Sequence, residues 1–453
     1  MSIASVGSRR AFLRGLALGS TAVPAISLLQ AEGIHLGSRV IEAPNVYRSG
    51  PAIIENGKVI QPRHEIRVLS DTGVLVVGGG CAGVIAALAA ARAGQKVTIV
   101  ERYGCFGGLW TAGLVLIVLA THVKSQSGLT KYVRGIGDEM LERLLKIKGG
   151  IINQAAGRRN PTSDPEATKY VMAEMLREAG VEILLHSWAT NAIMQGNSVK
   201  GVVFESKSST YAVTARVVVD ATGDGDVYAA AGAEHVRHIH RIGLVHRIGN
   251  VDRIERTKAT AGAKVEKPGS DSPLPSVLWV NMQGPQGDCL DVRTLTQTEL
   301  DGRRAVWQKL MALQNKPGHE QVFLLDTASQ LGIRASRTLK GVVNPTYDEA
   351  MKDKTYRDVV GVGGGGDFLG ERSCQIPYGA LVPQKIDNVL AAGRCIAGDN
   401  MMLNYMRLIG PCLVSGQAAG AAAALALKSK VRPRDVDVAQ LQSLLKRQGV
   451  YFG

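Results

Sequence analysis

None of the six cysteines in this 453-residue chain stands in a CxxC pair. Cys81, Cys105, Cys289, Cys374, Cys395 and Cys412 are scattered singly, which argues against a metal site. No segment repeats, so a solenoid or propeller array is excluded. Residues 1–25 contain no acid. The apolar stretch at 15–29 is too short and too rich in Gly and Ser to span a bilayer. No low-complexity linker is visible. The 53 glycines gather instead in short clusters beside apolar runs, as they do where backbone meets a ligand. Hydrophobic residues at 45% and charged residues at 20% are ordinary for a globular protein. The length allows a large core and two domains.

Lys and Arg outnumber Asp and Glu by 53 to 39, giving a formal net charge of +14. The charges are dispersed, so a soluble basic protein is expected and no nucleic-acid partner. The densest patch, Arg237 to Arg256, alternates Arg and His with apolar residues and suits the border of a pocket or an anionic partner. Ser8-Arg9-Arg10-Ala11-Phe12-Leu13-Arg14 reads as a twin-arginine export motif, with a cleavage site at Val23-Pro24-Ala25. Residues 1–30 are therefore expected to be a signal peptide. The export machinery is a partner and the destination is periplasmic or secreted. That route carries chains folded before export, so it points to a cofactor bound inside.

The next signal is local and mechanical. Val74-Leu75-Val76-Val77 predicts a buried parallel strand. Gly78, Gly80 and Gly83 then satisfy GxGxxG, with Cys81 and Ala82 between them. An Ala-rich helix runs from Val84 to Ala93, and a second strand, Lys96 to Val100, ends at Glu101. Gly78 permits the tight turn, Gly80 lets backbone approach a pyrophosphate, and Gly83 lets helix pack on strand. The helix start offers N–H groups and a positive dipole end to phosphate. Glu101 stands where an acid hydrogen-bonds ribose hydroxyls. The order of these parts reads as a dinucleotide site.

Arg102 and the pair Gly107-Gly108 follow, and this extension resembles flavoproteins of the glutathione reductase and fumarate reductase superfamily. Asp220-Ala221-Thr222-Gly223-Asp224 resembles their return to the dinucleotide-binding sheet. Asn388 to Arg394, leading to Asp399, resembles the late strand whose acidic end reaches the ribityl chain. Taken in order, GGGCAG, the GG pair, VVVDATGDGD, GIRASR, IPYGALVP, NVLAAGRCIAGD and GPCLVSGQAAGAAAA resemble the bacterial FAD-dependent oxidoreductase family from about residue 70 onward. Cys105 and Gly379 depart from the family's usual residues. The resemblance implies FAD as cofactor, held by Gly78, Gly80, Cys81, Ala82, Gly83, Glu101, Arg102, Gly107, Gly108, Thr222, Gly223, Asp224, Gly393, Asp399, Gly410, Pro411 and Cys412. It implies an α/β fold: a discontinuous Rossmann-like FAD-binding domain at 70–234 and 366–453, with an inserted α+β substrate or cap domain at 235–365. The helix opened by Gly410-Pro411 would point its positive end at the flavin. Gly361 to Gly366 reads as a mobile loop.

For the chemistry, Arg334 and Arg337 in the GIRASR segment either bind an anion or pin the cap by a salt bridge. Tyr378 either lines the pocket or packs. His122, His186, His235, His238, His240 and His246 are able to move protons, and the His235–His246 cluster is favoured because it directly follows the ATGDGD segment. Arg334, Tyr378, His238 and His240 are the catalytic candidates. Cys105 has no second cysteine nearby, which argues against a disulfide reductase. Cys81, Cys395 and Cys412 lie in apolar or Gly-rich stretches and read as free thiols. With no second nucleotide motif, direct reduction by NADPH is disfavoured, and the external electron acceptor stays open. Three functions remain: a dehydrogenase or oxidase of a small organic substrate, a flavin-dependent C=C reductase or isomerase, and a non-catalytic FAD-bearing surface-binding protein.

Overall fold

The computed structural model describes residues 51–453, apart from 126–127, 154–159, 252–267, 282, 365–368 and 370–371. The twin-arginine segment lies outside the described residues. Strand β1 (Arg67–Val77) ends in four branched residues that are almost wholly buried. After a glycine turn, α1 (Cys81–Arg92) runs back along the sheet to β2 (Val97–Val100). Helix α2 (Pro165–Glu178) begins where Asp164 accepts the Glu166 and Ala167 N–H groups, with Pro165 at the first position, where its missing N–H costs nothing. Strands β3 (Glu182–Leu184), β4 (Trp188–Gln195), β5 (Ser198–Glu205) and β6 (Thr210–Asp220) complete the first half.

A second group of small sheets follows. Strand β7 (His246–Gly249) pairs with β8 (Leu278–Val280), and the 23-residue helix α3 (Val292–Gln314) precedes β9 (Phe323–Thr327), which pairs with the other edge of β7. Leu116, Ile242, Leu244, Trp279, Val306 and Ile333 share one apolar core beneath these elements. The chain then returns through β10 (Val389–Ala391) and α4 (Ile409–Ser429).

The seven-stranded sheet has the order β4-β5-β6-β1-β2-β3, with β10 also beside β6. Strands β1, β2, β3, β6 and β10 are parallel, and β4-β5-β6 form an antiparallel meander. The long strand β6 serves both: Gly201–Glu205 of β5 pairs with its first half and Val389–Ala391 with its last residues. Among the described residues α4 is the one helix long and apolar enough to cross a membrane, and it is buried within the protein. Gly416 and Gly420 explain its depth. A Cβ on either would stand 2.3 or 2.1 Å from the carbonyl oxygens of Ala82 and Ala86, so the backbones of α1 and α4 touch.

The glycine run near 361 differs from expectation. Val359–Gly364 is a strand paired with Ser373–Pro377, where a mobile loop was expected. Close packing is the reason. A Cβ on Gly361, Gly363 or Gly364 would meet Val414 Cγ1, Tyr405 Oη or His122 O within 2.5 Å.

Candidate active site

The turn after β1 forms one wall of a cavity of about 400 Å³. Gly78 adopts φ +100°, and a Cβ there would stand 2.4 Å from Ala221 O. A Cβ on Gly80 would meet nothing within 4 Å, so this backbone opens directly onto the cavity at the start of α1. The Gly83 Cα packs on the turn itself, as the fingerprint requires. Glu101 closes the turn: Oε2 accepts from Gly79 N–H at 2.5 Å and Oε1 from Tyr103 N–H at 2.8 Å. Burial raises its pKa above the ordinary carboxylate value, against those two N–H bonds. Each oxygen keeps a lone pair for a ligand hydroxyl. Cys81, Ala82, Arg102, Gly107 and Gly108 line the same wall. Arg102 lies over the rings of Tyr103 and Trp188 at 4.8 and 5.5 Å.

Thr222 and Gly223 line the cavity where β6 ends, and Gly393 lines it where β10 ends. Asp224 does not face it. The carboxylate takes a hydrogen bond from Ser336 Oγ at 2.6 Å and pairs with Arg394 at 2.8 Å. Burial works against its charge, but Arg394 and Ser336 outweigh that and hold the carboxyl below its usual range. Asp399 is likewise committed elsewhere. It accepts the N–H groups of Met401, Met402 and Tyr347, so it caps a turn rather than reaching into the cavity. Helix α4 begins at Ile409, and Leu408, Ile409 and Cys412 present its first turn to the cavity. Gly410 and Pro411 do not. Gly410 N–H donates to Leu119 O at 3.1 Å, and a Cβ there would stand 2.4 Å from Ala120 O. Its smallness serves packing.

The opposite wall comes from the second group of sheets: Val245, Trp279, Gln330, Ile333 and Arg334, with Arg407 from the loop before α4. The GIRASR segment divides its labour. Arg337 Nη1 donates to Asp224 O and Asp226 Oδ1 at 3.0 and 2.8 Å, so it pins the two parts together. Arg334 faces the cavity and has no ion-pair or hydrogen-bond partner among the described residues. Burial and the nearby Arg241 lower its pKa. Burial, Arg334 and Arg394 bring Arg407 down to about 10. Trp279 Nε1 and Gln330 Oε1 are buried without a hydrogen-bond partner among the described residues, which leaves a donor and an acceptor at this wall for a ligand.

The other catalytic candidates lie elsewhere. Tyr378 is buried and donates to Pro433 O at 2.6 Å, so it packs. His238 meets Thr338 Oγ1 at 2.8 Å, and His240 accepts the Arg241 N–H at 2.8 Å. Burial lowers both pKa values, and neither ring lines the cavity. The sequence reading missed Arg407, Trp279 and Gln330. Of these, only Arg407 carried a signal, as a lone cation in the apolar stretch from Met401 to Val414.

An open glycine backbone at a helix start, a ribose-side carboxylate and a second helix start across the cavity fit an extended dinucleotide, and together they define a flavin-binding oxidoreductase. The chain belongs to the FAD-dependent oxidoreductase family, whose profile matches residues 73–247 and 249–445. Its cofactor is FAD and it is an enzyme. It is similar to digeranylgeranylglycerophospholipid reductase 2 of Methanopyrus kandleri, 29% identical over 33% of this chain and 37% of that one. The protein of the same name from Methanothermobacter thermautotrophicus is 28% identical over 36% of this chain and 42% of its own length. The chain thus spans well under half the length of these curated relatives. Among solved structures it is similar to a geranylgeranyl bacteriochlorophyll reductase-like protein of Thermoplasma acidophilum (TM-score 0.43, 16% identity, 83% of each chain). It is also similar to p-nitrophenol 4-monooxygenase of Pseudomonas putida (TM-score 0.43, 12% identity, 84% and 89% coverage).

Proposed function

We propose that this enzyme is exported and exchanges a hydride between FAD and a small organic substrate that carries an anionic group. The unpartnered Arg334 guanidinium in the cavity wall, beside Arg407, carries this reading. Two neighbouring half-buried cations repel each other, and an anion between them relieves that cost. When bound, FAD supplies the two-electron centre. The chain's own residues hold and orient the substrate. Arg334 and Arg407 take the anionic group, Trp279 Nε1 and Gln330 Oε1 supply a donor and an acceptor, and Val245 and Ile333 exclude water.

One observation favours C=C reduction as a second reading. The position of the Arg334 guanidinium at the cavity wall suits a group that hands a proton from Nη to the carbon beside the substrate's anionic group. The reductase names of the curated relatives agree with it. Anaerobic stopped-flow separates the two directions. The oxidised enzyme is mixed with alcohols, sugars and hydroxy acids, and the photoreduced enzyme with enoates. Arg334→Ala should raise KM for the active substrate roughly tenfold or more, the loss of one charge-assisted contact, with flavin absorbance retained. An unchanged KM for anionic substrates in Arg334→Ala would overturn the anion site.

A further inference from the structure

Three turns meet at the cofactor cavity: the glycine turn after β1, the end of β6 and the end of β10. Gly393 shows how closely. A Cβ there would stand 2.8 Å from Ala82 Cβ, so the end of β10 is pressed against the first turn of α1. The next residue, Arg394, lies against the end of β6, where a Cβ on Gly223 would stand 3.0 Å from its Nη2. Arg394 lines the cavity together with Gly80, Gly223 and Gly393. The acid expected to serve the end of β10, Asp399, caps a turn instead, and the residue standing there is a cation.

The two ends of this guanidinium differ. Nη2 donates to Asp224 Oδ1 at 2.8 Å, and the two side chains are 9% and 10% exposed. Asp224 does not line the cavity, so the pair presents its cation there and not its anion. Nη1 is buried and has no hydrogen-bond partner among the described residues. Burial works against the charge of Arg394, but Asp224 outweighs it and raises its pKa, so the group stays a cation. A buried N–H without an acceptor is costly, more so on a charged group. That leaves a charged donor at the cofactor cavity for an acceptor on the ligand.

We propose that Arg394 Nη1 binds the diphosphate of FAD, with Asp224 as the residue that positions the guanidinium. The diphosphate is the anionic part of oxidised FAD; its isoalloxazine, ribityl chain and adenosine are neutral. Gly80 opens the start of α1 onto the same cavity, so the N–H groups there and Arg394 serve one group. A guanidinium suits the role because it keeps its charge when buried and holds its donors in a fixed plane. One donor is spent on Asp224 and another on a phosphate oxygen. Ser336 Oγ donates to the same Asp224 oxygen at 2.6 Å and fixes that carboxylate in turn. The inference rests on the cofactor alone and depends on neither the substrate nor export.

The test uses holoenzyme of the wild type, Arg394→Lys and Arg394→Met, each checked for fold by circular dichroism. FAD release after dilution is followed by the recovery of flavin fluorescence. Arg394→Met should release FAD roughly tenfold faster or more, the loss of one charge-assisted contact. Arg394→Lys should lie between, since it keeps the charge but not the planar donors. Phosphorus NMR of the bound cofactor separates a diphosphate contact from a loss of packing. In Arg394→Lys the diphosphate signals should shift, while the flavin absorption maxima and midpoint potential stay at their wild-type values. Arg394→Lys also carries the test if Arg394→Met does not fold. Equal release rates in all the folded proteins would overturn the proposal. So would unmoved phosphorus signals, whether release is faster through lost packing or the flavin potential moves because the guanidinium faces the ring.

Discussion

Arg334 and Arg337 stand three positions apart and do opposite things. One is spent on Asp224 and Asp226; the other has no partner among the described residues and looks into the cavity. A side chain's worth depends on what is already bonded to it, and the same holds for Asp220. That carboxylate is fully buried and accepts from Thr222 N–H and Oγ1 and from the N–H groups of Val227 and Tyr228. Burial outweighs those bonds and raises its pKa from 3.8 to about 6. The folded chain therefore holds this proton more tightly than the unfolded chain. Its contribution to stability is full below the unfolded value of 3.8 and is lost as pH rises to about 6. Compared with Asp220→Asn, the wild type should lose on the order of 2–3 kcal/mol of relative stability across that window. Urea melts of both proteins at several pH values check this. A difference that stays flat from pH 4 to 6 would contradict it. Residue roles were the least legible feature of the sequence. Tyr378, His238, His240 and Asp399 have the chemistry of a site, but their bonds go to Pro433, Thr338, Arg241 and the turn at Met401–Met402. The partners of Tyr378 and His238 are 55 and 100 positions away, where no local pattern displays them, while His240 and Asp399 are spent on their own neighbours, which residue type alone does not reveal.

Elements were far easier to read. The β1-turn-α1-β2 unit is built from contacts within about thirty residues, so its branched run, glycines and terminal acid announce it locally. The return of β6 to β1 and of β10 to β6 was legible for the same reason, since each ends in a distinctive Gly-containing turn. The cap was not. Its strands are short and polar, and they find partners across long separations, as His235–Arg237 does with Arg337–Leu339. Helix α4 shows what the pattern of small residues means. Its N-terminal turn faces the cavity, so the positive end of its dipole acts on negative charge there. It reaches that position only because Gly416 and Gly420 let it touch α1. Gly416→Ala puts a Cβ 2.3 Å from Ala82 O, so backbone must move. The overpacking should cost about 1–3 kcal/mol, against a helix-propensity gain of ~1 kcal/mol. Thermal unfolding should fall and FAD should bind more weakly. Ser429→Ala, exposed at the far end of the same helix, should do neither. An equal or higher melting temperature for Gly416→Ala would refute the contact.

For the molecule as a whole, the cofactor and the proposed export route make a joint prediction. A site assembled from both halves of the chain has to be complete before FAD is held, and the twin-arginine route accepts folded cargo. Replacing Arg9 and Arg10 by Lys should leave FAD-loaded protein in the cytoplasm of the expressing cell. Fractionation with flavin fluorescence as readout checks this, and full periplasmic yield of the doubly substituted protein would remove the export assignment. The cradle also has a consequence for the order of events during synthesis. Its first wall is Gly78 to Ala82 and its last is Leu408 to Cys412. A ribosome-bound fragment that has made the glycine turn, Glu101, the end of β6 and the second group of sheets still offers FAD a trough open on one side. Capture of the vitamin-derived group therefore comes after nearly all of translation. A cell short of riboflavin would accumulate full-length, unfilled chains rather than truncated ones.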